Sequence, residues 1–383
     1  MSPHPSPPRV PAPEAPAGPP GQADGAAPRA PAGGAPKPPA RPGLSLLCTV
    51  SAAVLLLSVV VAIGLGPAVI TPDATTRYLW AALTGGSVDA AEATAYQIVW
   101  EIRTPRVLLA ALVGAGLSAV GVAIQALVRN ALADPFVLGV SSGASVGAVG
   151  VTVTGGLAAL GVHAVSAGAF AGALAASVLV YAASATRGAL SPLRLVLTGV
   201  ALSLGFQAVM SVIIYYASDT DATGMVLYWT MGGFGAASWG ALPVVTAVVL
   251  AGLVLLHRQG RALDLLSLGD ETAASLGVDP DRRRKALLVL VSLLTGVMVA
   301  VSGAIAFVGL VMPHLVRMLV GATHARVLAV APLVGAVFMV WADLASRTLV
   351  APRELPLGAI TALVGVPVFI TLLRRRAYMF GGR

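Results

Sequence analysis

Ten apolar runs dominate the chain, each close to the roughly 20 residues that an α-helix needs to cross a bilayer, and each interrupted by Gly, Pro or clustered charge. Repetition at that length leaves few folds open. Backbone polar groups in hydrocarbon must be satisfied within the chain, so the runs are predicted to be membrane-spanning helices. They cover approximately Leu44–Ile70, Val107–Val128, Phe136–Val153, Ala164–Ala183, Leu193–Ala217, Gly240–Leu256, Ala286–Val301, Ala304–Val320, Val327–Leu344 and Leu355–Leu373. Only Ser302 and Gly303 part the seventh from the eighth, and Pro313 interrupts the eighth, so the pattern is least regular there. The expected fold class is all-α, a polytopic membrane protein of about ten helices.

Composition supports this. The chain is 57% hydrophobic and only 10% charged, where a soluble domain carries about a quarter charged residues. The net charge of +8 does not point to nucleic acid, because the basic residues fall in short groups between apolar runs rather than along one face. They orient the chain instead, since Lys and Arg near span ends are retained in the cytoplasm. Arg258, Arg261, Arg282, Arg283, Arg284 and Lys285 flank one long loop, and Arg374, Arg375 and Arg376 follow the last span. Ten spans then place both termini in the cytoplasm, put Arg129, Arg187, Arg317 and Arg326 on the same side, and leave the loop from Thr71 to Glu101 outside. Residues 1–43, rich in Pro, Ala and Gly, are expected to form a disordered cytoplasmic tail. Residues 44–376 form the transmembrane domain, and 377–383 a short second tail.

Several function classes are excluded. No G-x-x-x-x-G-K-[ST] string occurs, so the chain has no P-loop for nucleotide phosphates, and its five His are scattered without metal-ligand spacing. Cys48 is the sole cysteine and reads as a small packing residue. The chain is therefore expected not to be an enzyme, to bind no cofactor or metal, and to draw any pumping energy from a partner or an ion gradient.

Pairs of small residues one helical turn apart, Gly114 with Ser118, Gly143 with Gly147, and Gly168 with Gly172, mark close helix contacts. A faint likeness between GAGLSAVGVAIQALVRN and GAIAFVGLVMPHLVRM suggests an internal repeat of inverted sense. Polar groups at membrane depth need partners or a cavity. Gln125 is read chiefly as an interhelical hydrogen-bonding residue. A proton relay through Asp343 and His314 is conceivable, yet a structural role suits both, together with Pro313 and Pro135.

Two blocks carry a specific resemblance. The first is RTPRVLLAALVGAGLSAVGVAIQALVRNALADPFVLGVSSGASVG; the second contains FVGLVMPH, ADLASR, ELPLG and GVPVF, with LTGVAL, WTMGG and LLSLGDETAASLGV between them. In this order and spacing, over about Leu44 to Arg376, the chain resembles the permease subunits of bacterial ABC importers for iron chelates, haem or cobalamin. Ala131 departs from the Pro usual in the family's RNPLA string, and the Pro-rich tail is extra.

The resemblance implies a homodimer in the cytoplasmic membrane, two separate ATPase subunits that bind ATP and Mg, and an extracytoplasmic substrate-binding protein. It implies import of a ferric siderophore, with haem or cobalamin as the alternative; an ion-coupled secondary transporter is the reading from another class. It also implies roles for residues. Asn130 and Leu132, with Gln125 beside them, would form a cytoplasmic gate along the pathway. Gly269, Asp270, Glu271, Ala274, Leu276 and Gly277 would form the element that couples to the ATPase, with Asp270 as its N-cap and Gly277 as its stop. Arg103, Arg106 and Arg347, on the outer face against the charge rule, would dock the binding protein; the alternative is that they pair with Glu101, Asp343 or Glu354 or snorkel to lipid headgroups.

Overall fold

The computed structural model describes residues 43–186, 189–216 and 230–380; the expected tails at 1–43 and 377–383 lie wholly or partly outside them. Ten apolar helices match the ten expected runs. They are α1 (Leu44–Gly64), α3 (Thr104–Leu127), α4 (Val140–Thr154), α5 (Ala164–Ser184), α6 (Pro192–Tyr216), α7 (Leu242–Arg258), α10 (Pro280–Ser302), α11 (Val308–Val320), α12 (His324–Thr348) and α13 (Leu357–Phe380). Shorter helices fill the connections: α2 (Pro72–Thr84), α8 (Gly260–Ser267) and α9 (Asp270–Ser275). Six of the described helices are long and apolar enough to cross a membrane, and α7 with α8 makes a seventh as a span bent by 56°. The apolar stretches of α4, α11 and α13 are shorter. Strand structure among the described residues is one two-residue pairing, β1 (Ala185–Thr186) with β2 (Ala189–Leu190), between α5 and α6.

Helix α3 is the axis of the molecule, its last fifteen residues almost all buried, and α1, α7, α10, α11 and α12 pack around it. Helices α4, α5 and α6 form a second group joined to it through α10. The small-residue pairs sit where backbones meet: Gly143 and Gly147 face Gly172 and Gly168, and Gly114 and Ser118 face Gly335. Where lipid gives no hydrophobic drive to association, such close approach supplies van der Waals contact. By contrast α1 and α6 are little covered and turn Leu56, Leu57, Leu197 and Leu204 outward, as helices facing lipid do.

Three features differ from expectation. The first run ends at Gly64, and α2, capped by Thr71, follows as a separate helix. Residues 303–307 leave the helical path between α10 and α11, so the thirteen residues of α11 rise only about 20 Å, less than a bilayer core. The suggested repeat is not inverted. Gly121 lies against Gly309 and Gln125 bonds Arg317, so α3 and α11 advance in the same sense.

Candidate functional site

The two ends of the helix bundle carry different chemistry. At the end where α1 and α12 finish and α3 begins, a π-helical turn over Ile98–Arg103 widens the start of α3. Arg103 donates to the carbonyls of Ile63 (3.3 Å), Gly64 (2.9 Å) and Ala68, and Arg347 donates to those of Leu65 (2.9 Å) and Ala62. Two arginines from two helices thus satisfy carbonyls that α1 leaves open at its C-terminus. Arg106 donates Nε to Asp343 at 2.8 Å and grips Glu354 with both terminal nitrogens at 2.7 and 2.9 Å. Asp343 also lies 3.3 Å from Nε of Arg347.

Arg106 and Arg347 thus take the carboxylate partners expected in the alternative reading, Asp343 and Glu354. Arg103, Arg106 and Arg347 are only 3%, 6% and 3% exposed, and all three guanidiniums are turned into the protein. Desolvated guanidiniums are costly unless paired, and here helix-terminal carbonyls and two carboxylates pair them. The exposed docking patch anticipated at these residues is absent. Asp343 has the structural role expected of it. Among the described residues at this end, the arginines that do reach solvent are Arg77, bonded to Glu92 at 3.3 and 3.4 Å, and Arg353.

The opposite end is the basic one. Helix α8 buries Leu263 and Leu266 against the core and is fastened by Asp264, which accepts from the His324 backbone N–H at 2.9 Å and contacts its Nδ1 at 2.6 Å. Gly269, at φ +115°, turns the chain into α9, and Gly277, at φ +82°, ends it, so glycine is required at both corners. Asp270 is not the cap expected of it. Gly269 holds that position, and the Asp270 carboxylate instead binds Arg284, through Nη1 at 2.9 Å and a second, shorter contact. This guanidinium, as a hydrogen-bond donor and a charge, holds the Asp270 carboxyl below its ordinary value, and Arg129 adds to the effect. In α9 only Ala273 is buried; Glu271 and Ala274 are exposed, and Leu268 and Leu276, 65% and 59% exposed, present an apolar tip.

Beside this tip α3 ends. Asn130 N–H bonds the Gln125 carbonyl and Arg129 N–H that of Ala126, closing the helix with Arg129 at φ +53° in a place that favours glycine. Asn130 is exposed and its Oδ1 accepts from Leu132 N–H at 2.9 Å, so its side chain shapes the loop, and Leu132 is exposed beyond it. Gln125 is buried and joins α3 to α11, donating to the Gly309 and Leu310 carbonyls at 3.2 Å while Arg317 donates to it. Pro135 packs on Gly309; Pro313 and His314 are buried inside α11. The sequence reading missed Arg284, counted there only as an orienting charge, although an arginine at the start of a span one helix away from an acidic turn is a recognisable pairing signal.

The family model described as the FecCD transport family matches residues 54–375. The chain belongs to this family. Similar FecCD proteins include the hemin transport system permease protein HmuU of Yersinia pestis, 41% identical over 57% of this chain and 64% of that protein. The vitamin B12 import system permease protein BtuC of Vibrio vulnificus is 42% identical over 49% and 56%. The iron(3+)-hydroxamate import system permease protein FhuB of Bacillus subtilis is 36% identical over 57% and 56%. The matches thus span between about half and two-thirds of these relatives' lengths. A solved structure assigned to the metal-chelate type of ABC transporter, in an inward-facing conformation, superimposes with a TM-score of 0.75 at 30% identity, covering 86% of this chain and 99% of that one. PsaBC from Streptococcus pneumoniae shares the fold at a TM-score of 0.52 and 18% identity.

Proposed function

We propose that this chain is the membrane-spanning permease subunit of an ATP-driven importer, working as a homodimer with two ATPase subunits that hold ATP and Mg, and moving a ferric siderophore delivered by an external binding protein. The observation that carries this reading is the α8–α9 unit. It is fastened to the bundle by Leu263, Leu266 and Asp264, yet turns Leu268, Leu276 and Glu271 to solvent at the basic end. An apolar tip beside charged loops is a surface made to be covered. By the charge rule this end faces the cytoplasm, where an ATPase would meet it. The hemin and vitamin B12 permeases among the relatives add haem and cobalamin as further substrates to test.

The test is reconstitution in proteoliposomes with the candidate ATPase. ATPase should co-purify with the permease, and vanadate-sensitive uptake should appear for a ferric siderophore. Uptake of haem or cobalamin instead would change only the substrate. Uptake that ignores vanadate and follows a proton or sodium gradient would overturn the reading. Glu271→Arg with Leu276→Arg should leave the helices intact and release the ATPase.

A further inference from the structure

Three segments at the basic end converge on one pair of side chains. Arg284, in the first turns of α10, is 1% exposed. Its Nη1 donates both to Asp270 of α9 and, at 3.3 Å, to the carbonyl of Leu190 in the hairpin that leads into α6. The Leu190 N–H is held from the same helix by Asp281 at 3.3 Å, so α10 grips that residue's backbone from both sides. Asp270 in turn lies 3.7 Å from Arg129, which occupies a left-handed position at the end of α3, directly before Asn130 and Leu132.

We propose that the Asp270–Arg284 pair is the joint that transmits displacement of α9 to the Leu190 hairpin and α6, with Arg129 as a weaker branch to the loop at Asn130–Leu132. This deepens the coupling reading above and rests on it.

Burial decides the strength of each branch. Arg284 has no solvent to fall back on, and its Nε has no hydrogen-bond partner, so the guanidinium already spends one donor without return. If α9 moved and took Asp270 with it, a stranded Arg284 would be a buried charge without its counter-ion, which is strongly unfavourable. Arg284 therefore follows Asp270, and because the same Nη1 holds Leu190, the hairpin is pulled or released with it. The Arg129 contact is longer and lies between side chains 37% and 44% exposed. Solvent screens such a pair, and it can break while α9 moves.

The experiment uses the permease–ATPase complex in nanodiscs, with spin labels at Ala274 on α9 and at Leu193 at the start of α6. Each is measured against a reference label at Leu83 on α2, and the probe is ATP with vanadate. In the otherwise unaltered protein, trapping should shift both distances. In Asp270→Asn the Leu193 shift should fall at least threefold relative to the Ala274 shift of the same complex; Asp270→Glu should restore the ratio. Arg129→Gln should leave the Leu193 shift within about 20% of the parent. An undiminished Leu193 shift in Asp270→Asn overturns the joint. Absence of any Ala274 shift in the unaltered complex would instead overturn the coupling reading beneath it. Should Asp270→Asn fail to fold or release the ATPase, Arg284→Lys carries the test, since Arg284 is buried away from the α9 tip and the substitution keeps the charge but cannot hold Asp270 and Leu190 together; there the Leu193 shift must be lost with the Ala274 shift kept.

Discussion

Replacing Asp343 by Asn removes one charge from the driest part of the molecule while keeping its shape. Asp343 is 1% exposed between Arg106 at 2.8 Å and Arg347 at 3.3 Å. Breaking a buried ion pair by removing one partner costs about 3–5 kcal/mol, because the other charge stays desolvated. Arg106 keeps its two-pronged grip on Glu354, and Arg347 keeps the Ala62 and Leu65 carbonyls. The loss should therefore fall near the lower limit, about 3 kcal/mol. Glu354→Gln acts on the same guanidinium, but its side chain is 37% exposed; solvent screening limits that loss to about 1 kcal/mol. Equilibrium unfolding in mixed micelles, followed by helical circular dichroism as denaturing detergent is added, should rank Asp343→Asn well below Glu354→Gln in stability. Equal losses, or a loss below about 1 kcal/mol for Asp343→Asn, would show that this network is solvated and that its arginines are not internal ties.

At the contact between α4 and α5, Gly147→Val places a side chain on the Gly168 carbonyl and should cost about 1–3 kcal/mol by overpacking, while Gly150→Ala, with open space around its added methyl, should be neutral or slightly stabilising; thermal melting of the two variants checks this. In the loop between α3 and α4, burial pushes the Asp134 carboxyl up to about 6 despite backbone N–H groups of Phe136 and Phe307 facing it. An unfolded Asp ionises near 4, so the fold favours the protonated form: stability should fall as pH rises from about 4 to 6, by about 3 kcal/mol at most, and level off above. Asp134→Asn should flatten that profile. Gln125→Leu removes the bonds that Gln125 makes to Arg317 and to the Gly309 and Leu310 carbonyls between α3 and α11 and should cost about 1–3 kcal/mol in the same unfolding assay.

Hydropathy made the ten helices legible because lipid demands long apolar segments. It also located the break near Ser302, where the spacing was too tight for two full spans. Helix α2 escaped notice because it is short and two-faced, burying Ala74, Thr75 and Tyr78 while exposing Trp80 and Leu83. For the arginines, pairing with Asp343 and Glu354 was legible from their shared placement at the outer face, but the carbonyl partners were not. A sequence shows where a charge lies along the chain but not what it meets, and the partners of Arg103 and Arg347 are main-chain carbonyls from Ile63 and Ala62 onward, which every residue possesses. The turn from α8 into α9 was more legible, with Gly269 and Gly277 at its corners and Leu276 exposed. The Asp270 cap was misplaced because the positive φ of Gly269 moves the helix start by one residue.

The two ends differ in a way that bears on how such a machine could move. Where α1, α3 and α12 meet, arginines bind helix ends and carboxylates with little water, and opening any one contact strands a buried charge. These helices are therefore tied into a single body. At the basic end, the Asp270 carboxylate stays 44% exposed and the Arg129 pair is screened, while Arg284 itself is buried. Exposed contacts rearrange cheaply and a buried charge follows its counter-ion, so under the proposed joint a displacement of α9 would be taken up where α9, the Leu190 hairpin and the loop after α3 join. The short α11 and the non-helical residues 303–307 lie on the same side of the axis helix as Pro135 and Gln125. The close backbone approach of Gly121 to Gly309 and the bonds from Gln125 to Gly309, Leu310 and Arg317 fasten α11 to α3 as well, so the short helix belongs with the axis helix rather than with the exposed α9 tip.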